Sequence, residues 1–357
     1  MEMTAKERLL ASIKGEKTDR PAWSPFLAYW WENNPKYTSN INQLDFIEQC
    51  GADPLLRGFG NVCKTKFVGT EQKEEMIDGI AVTSYITPVG TLTLRSKYSP
   101  AGNTWFLFDH PVKTAEDLKI LTWMYEHATV EPNENAEKDY YATGERGLMV
   151  PTVGFDCKTC FQSLVERWIG TVNLAYIDAD EPEAIEECLD AMRKASMKTV
   201  EIAVNTPYEA FIFWEDSSTT NISPSMFEKY TAPEIKAWGD LLHKNGKMLI
   251  HHACGLIRHL LPLMGKLPID AIESISPPPT GDIDIADAFK LLPENIGLIG
   301  GIEPVFFENC NENELEKRIY ELLEIGKNKR FLLANSDSCP PKVAYEKFLQ
   351  VSNIVKK

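Results

Sequence analysis

The chain has 357 residues, 43% apolar and 25% charged, enough to bury a large core as one big domain or two smaller ones. Its 37 Lys and Arg against 52 Asp and Glu leave a net charge of −15 without a basic cluster, which argues against nucleic acid and anionic membranes as partners. There is no run of about 18 apolar residues, and the polar start runs into a helix pattern, so neither a membrane span nor a signal peptide is expected. The expectation is a cytoplasmic protein whose eight cysteines stay reduced.

In chain order, Thr4-Ala5-Lys6-Glu7 predicts a capping box opening a helix with Leu9, Leu10 and Ile13 on its apolar face and Gly15 as its stop. A strand-like piece runs from Pro21 to Phe26. Tyr29, Trp30 and Trp31 follow, then a helix through Leu44 to Cys50 and a short run at Pro54-Leu55-Leu56. Period-two alternation from Gly79 to Phe108 predicts a hairpin with a third strand around Trp105 to Phe108, an insertion within 76–110.

From residue 147 the order becomes regular. Leu148 to Val153 reads as a strand, Phe161 to Ile169 as a helix, and Glu181-Pro182 opens another carrying Ile185, Leu189 and Met192. Strands are expected at Ala210 to Trp214, Lys247 to His251, Ala271 to Ile275, Ile296 to Gly300 and Arg330 to Ala334. Between them lie helices from Pro224 to Asn245, interrupted at Pro233, and from Glu312 to Ile325, capped by Asn311. About eight buried strands alternating with helices favour a (β/α)8 barrel with an N-terminal helical extension and a β-hairpin insertion, one domain over 1–357. No Gly-x-Gly-x-x-Gly opens a helix after a strand, which removes the main argument for a dinucleotide fold.

A barrel carries function at the C-terminal ends of its strands. There the sequence places Glu215 and Asp216, His252 and Cys254, Ser276, Glu303, and Asp337 and Cys339. An imidazole and a thiol in His252-Ala253-Cys254-Gly255, with Cys339 from the last strand, provide three zinc ligands and one open position. Glu215 or Asp216 is a candidate fourth ligand or acid, and Glu303 and Asp337 are candidate acids or orienting groups. The bland alternative is a loop histidine and two unrelated thiols. Tyr29, Trp30, Trp31 and Trp214 are expected to line a pocket for an aromatic or methylated small molecule. His251 points to the opposite strand face from His252, as a core or supporting group. Cys157-Lys158-Thr159-Cys160 has redox spacing without a thioredoxin-like context.

At these residues, and from Glu7-Arg8-Leu9-Leu10 and Asp19-Arg20-Pro21 to Pro340-Pro341, the chain resembles the uroporphyrinogen decarboxylase superfamily. The resemblance implies a single barrel with an N-terminal extension and a hairpin insertion. The decarboxylase branch carries a glycine-and-arginine motif after its first strand, whereas here Ser24-Pro25-Phe26-Leu27-Ala28-Tyr29-Trp30-Trp31 has no arginine. His252-Ala253-Cys254-Gly255 is similar to the His-x-Cys-Gly motif of the zinc-dependent corrinoid methyltransferases, the methylcobamide:coenzyme M and O-demethylase types. In the coenzyme M type the third ligand is a cysteine after the last strand, here Cys339 with different flanks.

That branch implies bound Zn2+ and a corrinoid (cobalamin) supplied by a partner protein, since the chain has no Asp-x-His-x-x-Gly run of its own. The expected reaction moves a methyl group from a small methylated substrate, an aryl methyl ether being favoured by the aromatic residues, to the partner's cobalt. The alternatives are a methylcobamide:thiol methyltransferase, a uroporphyrinogen decarboxylase served by Arg57 or Arg95, and a non-catalytic corrinoid-partner binding protein. Methyl donor, acceptor, direction and oligomeric state stay open.

Overall fold

The computed structural model describes residues 2–100 and 103–357, so Met1 and positions 101 and 102 of the expected insertion lie outside the described residues. The chain forms two compact units. One comprises Met1–Asn61, Glu134–Thr152 and Thr206–Lys357, the other Val62–Asn133 and Val153–Asn205. Among the described residues no helix is long and apolar enough to cross a membrane.

The first unit carries the parallel strands. Ala210–Glu215, Met248–Ala253, Ala271–Ile275, Gly297–Ile302 and Phe331–Asn335 form a five-stranded sheet in which each strand pairs with the next in the chain. Leu55–Arg57 and Leu148–Val150 form a parallel pair, which a bridge between Thr152 and Ile212 joins to the sheet. At the other edge Trp23 bridges to Leu333, and its carbonyl accepts the Asp53 N–H at 2.7 Å. The eight parallel segments are those of a (β/α)8 barrel; single bridges attach Thr152 and Trp23 to the five-stranded sheet, and Trp23 meets the segment before Leu55–Arg57 through the Asp53 backbone hydrogen bond rather than a ladder.

Successive residues on a strand face opposite ways. Ala210, Ile212, Met248 and Ile250 therefore share one inner core, which Leu9 and Ile13 of the helix Ala5–Lys14 complete. The helix opens with the expected capping box between Thr4 and Glu7 and stops at Gly15, where φ is 70°. A Cβ on Gly297, the first residue of its strand, would sit 3.2 Å from the Ile13 carbonyl oxygen. The helix thus lies at the N-terminal ends of the strands. Further on, Pro233 does not break the 224–244 segment as expected. A π turn, Phe227–Thr231, leads without a gap into Ala232–Lys244, and the helical path continues past the proline, which has no N–H to donate.

In the second unit Glu71–Ile77, Ile80–Thr87, Gly90–Ser99 and Thr104–Asp109 form an antiparallel sheet in chain order. The sequence suggested three strands from Gly79. The additional one, Glu71–Ile77, is exposed along its whole length, and a strand without a buried face shows no alternation. Asp78 and Gly79, both at positive φ, make the two-residue turn into the next strand. Cys63–Phe67 pairs with Ala128–Pro132, and the helices Ala115–Glu126 and Pro182–Ala203 pack on each other.

A buried ion network ties the N-terminal helix to the barrel. Arg8 donates to Asp53 at 2.6 Å and to Asp19 at 2.7 and 2.8 Å. Arg20 donates twice to Asp53, at 2.9 and 2.8 Å, and the Trp23 N–H adds a bond at 3.2 Å. Removing one charge from such a network leaves the others buried and unmatched, so Asp53→Asn is expected to lose about 3–5 kcal/mol in urea denaturation. Hydrogen bonds from Arg8 hold the Asp19 carboxyl well below the usual carboxylate range. A lowered carboxyl pKa contributes stability that is complete above its unfolded value, about 3.9, and disappears as the pH falls through the folded one. The stability–pH curve should therefore have a shallower acid limb in Asp19→Asn than in the parent, read by denaturation at a series of pH values.

Candidate metal centre

The site is built on the strand Met248–Ala253. His252 follows Met248 and Ile250 on the inner face and stands opposite Trp214 in the neighbouring strand. The two rings meet edge to face at 4.9 Å. Phe26 stacks on Trp214 at 5.5 Å and meets His252 edge-on at 5.8 Å. Asn335 clamps Phe26 by accepting its N–H at 2.8 Å and donating to its carbonyl at 2.9 Å.

On its other side His252 stands in register with Glu273 of the strand Ala271–Ile275, and Nδ1 lies 2.9 Å from Glu273 Oε2. The second oxygen of Glu273 accepts Nε of Arg57. The side chains of His252, Glu273 and Arg57 are only 7%, 1% and 2% exposed. Burial opposes a charge on Glu273, but the Arg57 charge and the His252 hydrogen bond outweigh it and hold the carboxyl below its usual range. An ionised carboxylate only accepts, so Nδ1 carries a proton, and in the neutral form of the ring the lone pair is on Nε2.

Nε2 of His252 lies 3.9 Å from Asp337 Oδ1. Cys254 brings its thiol to the same place: one ligand atom from each of His252, Cys254 and Asp337 lies within 4.8 Å of the other two. The strand has ended at Ala253, and the Cys254 N–H and thiol both point to the Glu215 carbonyl, at 3.1 and 3.5 Å. Gly255 makes the turn at φ 88°, where a Cβ would sit 2.5 Å from that of Ser218. An imidazole fixed by a carboxylate, a thiol and a second carboxylate form a donor set that fits a borderline divalent cation such as zinc.

Several expected residues stand elsewhere. Cys339 is outside the cluster, and Asp337 is the member drawn from its loop. The Cys339 N–H donates to the Phe26 carbonyl at 2.9 Å, and burial, with Glu308 adding to it, pushes the fully enclosed thiol well above the usual range. Glu215 lies on the outer strand face, where it meets His251 Nε2 at 3.0 Å and accepts Ser217 Oγ at 3.2 Å. Asp216 accepts from Asn221 at 2.9 Å. Glu303 caps the helix Pro304–Asn309 and accepts from Thr280 at 2.9 Å. Trp30 is fully buried against Phe46 and Phe348, its indole N–H bonded to the Val343 carbonyl. Trp31 packs on Phe46, and Tyr29 is 45% exposed. The aromatic wall at the cluster is thus Phe26 and Trp214. Arg57 joins His252 through Glu273, whereas Arg95 pairs with Asp109 on the antiparallel sheet.

Glu273 had no place in the sequence reading. The signal was an acidic residue in the middle of an apolar strand, a position that requires a buried partner. Ser274 next to it takes φ 81° at a bulge between Glu273 and Ile275, and nothing in the sequence marks that.

Residues 168–357 match the family described as uroporphyrinogen decarboxylase (URO-D). No curated protein sequence matches the chain. Among solved structures, a methyltransferase from Methanosarcina mazei superposes with a TM-score of 0.64 at 13% identity, covering 99% of each chain. A B12-independent methionine synthase from a Shewanella species, in complex with selenomethionine, reaches 0.46 at 9% identity over 86% of this chain and 82% of that one. With more than half its length matched by the family, the chain belongs to the uroporphyrinogen decarboxylase family.

Proposed function

We propose that this protein is a zinc-dependent methyltransferase that moves a methyl group from a small methylated substrate, an aryl methyl ether above others, to the cobalt of a separate corrinoid protein. The observation that carries this reading is the cluster of His252, Cys254 and Asp337 at the C-terminal ends of barrel strands. His252 would hold the metal through Nε2, Cys254 through its thiolate and Asp337 through a carboxylate oxygen, leaving one position for substrate. Zinc bound there would supply Lewis acidity toward the heteroatom that gives up or receives the methyl group. Glu273 keeps the imidazole proton on Nδ1, and Arg57 keeps Glu273 charged. Phe26 and Trp214 present apolar faces suited to an aryl ring, and shield that side from water. The likeness in fold to a Methanosarcina protein named a methyltransferase supports the reaction class.

The decarboxylase reading has less support. Its polycarboxylate needs uncommitted guanidinium groups, yet Arg57 is matched to Glu273 and Arg95 to Asp109. Transfer to a thiol would use the same residues in the other direction, so the activity test includes it.

Metal analysis should find about one zinc per chain. Cys254→Ala and Asp337→Ala should each lose it, while Cys339→Ala keeps it; zinc retained in Asp337→Ala and lost in Cys339→Ala would exchange the roles of the last two. Glu273→Gln should weaken zinc binding about 10–100-fold in competition with a chelator. For activity, reduced cobalamin is offered with aryl methyl ethers, methylamines and, as methyl acceptors from methylcobalamin, thiols. An ether should be demethylated, and Trp214→Ala should raise KM for it more than it lowers kcat, because a stacking wall supplies binding common to ground and transition states. Rapid transfer from methylcobalamin to a thiol, with no turnover of any ether or amine, would reverse the direction.

A further inference from the structure

A cavity of about 510 Å3 lies within the second unit, lined among others by Phe67, Thr70, Tyr85, Phe155, Asp156 and Arg167. Another of about 490 Å3 adjoins it and shares Tyr85, Asp156 and Arg167. Neither contains a residue of the metal cluster. The Arg167 guanidinium lies 5.0 Å over the Trp168 ring and gives one hydrogen bond, from Nη2 to the Tyr85 hydroxyl at 2.7 Å. Among the described residues no carboxylate makes a direct ion pair with it, although the Asp156 charge acts on it from farther away.

The acids around Arg167 are already engaged. Glu166 holds Lys158 and accepts from Gln162 at 2.9 Å. One oxygen of Asp156 receives the hydroxyls of Tyr125 and Ser163 and, at 3.3 Å, the Trp168 indole N–H. In a protein of net charge −15, a cation without an ion pair on a cavity wall is conspicuous. Tyr85, having accepted from Arg167, retains its own proton to donate. Thr70 Oγ1 is shielded from solvent and has no partner. Phe67 and Phe155, 5.1 Å apart, supply an apolar part of the same lining.

The geometry points to a binding site for a small carboxylate with an aromatic or short apolar body, its carboxylate on Arg167 and Tyr85 and its body against Phe67 and Phe155. A planar guanidinium offers parallel donors that match the two oxygens of a carboxylate. The volume suits a small ligand. The Asp156 carboxylate among the same lining residues repels a doubly charged phosphate ester more strongly than a singly charged carboxylate, and so favours the latter.

Sodium benzoate is the probe, titrated into the full chain by calorimetry, with phenyl phosphate and benzyl alcohol alongside. Saturable benzoate binding is expected, weakened about 10–100-fold in Arg167→Met. Arg167→Lys, which keeps the charge and loses the fork, should fall between the two. Tyr85→Phe preserves the ring packed 5.4 Å from Trp168 and should weaken binding by a smaller factor, so the test survives if the arginine variants fail to fold. Benzyl alcohol should not compete. No saturable benzoate binding by the parent, affinity unchanged in both Arg167→Met and Tyr85→Phe, or a preference for phenyl phosphate would each overturn the assignment.

Discussion

A strand shows its side chains to alternate faces, and the cluster of His252, Cys254 and Asp337 depends on that parity. Ile212 and Trp214 face the barrel interior on one strand, and Met248, Ile250 and His252 on the next. Their neighbours Glu215 and His251 necessarily face outward, where they bond to each other. A shift of one residue in the strand Met248–Ala253 would exchange the two histidines, turning His251 inward and His252 outward, and a shift in Ala210–Glu215 would turn Trp214 out and Glu215 in. The packing fixes this parity by shape: the Phe213 ring lies edge-on against Trp238 on the outside while the smaller Ile212 fills the inside.

The interior strands also carry a charge pair that an apolar pair of the same volume would replace without loss of stability. Arg57 and Glu273 are therefore better understood by what they do to His252. A buried imidazole has two possible tautomers, and an adjacent carboxylate selects one. Without Arg57, burial would favour the neutral acid at Glu273, which could donate as well as accept, and the imidazole would no longer be fixed. The chain Arg57, Glu273, His252 thus converts a fixed guanidinium charge into a fixed lone pair. Phe26 strengthens the arrangement by lying beside both ends, 5.1 Å from the Arg57 guanidinium and 5.8 Å from the His252 ring.

Much of this was legible in the sequence. Alternating apolar runs and helices marked the barrel, Thr4 and Glu7 the first cap, and His252-Ala253-Cys254-Gly255 two of the three cluster residues. The rest depended on facts that local pattern does not contain. Which residue after Asn335 turns inward is decided by the path of a loop tied to Phe26, and that path encloses Cys339 and brings Asp337 to His252. Trp30 and Trp31 carry the same aromatic signal as Trp214, but the short helix Ala28–Asn33 turns Trp30 into a hydrophobic core. Glu71–Ile77 pairs through its backbone alone, with all its side chains in water. The Asp78-Gly79 dipeptide, a two-residue hairpin signal, is the one local mark of that strand in the sequence.

The separation of 216 positions between Arg57 and Glu273 bears on how the molecule is made. During synthesis Arg57 leaves the ribosome long before its carboxylate exists, and Trp23 waits longer still for Leu333. Contacts this remote in sequence slow folding, because a long loop must be closed before any of them forms. A guanidinium buried early, without its counter-charge, would cost several kcal/mol, so premature closure of the barrel around the first strands is disfavoured. The same ion pair that orients His252 in the finished protein opposes, in the nascent one, sealing of the interior before the later strands have arrived.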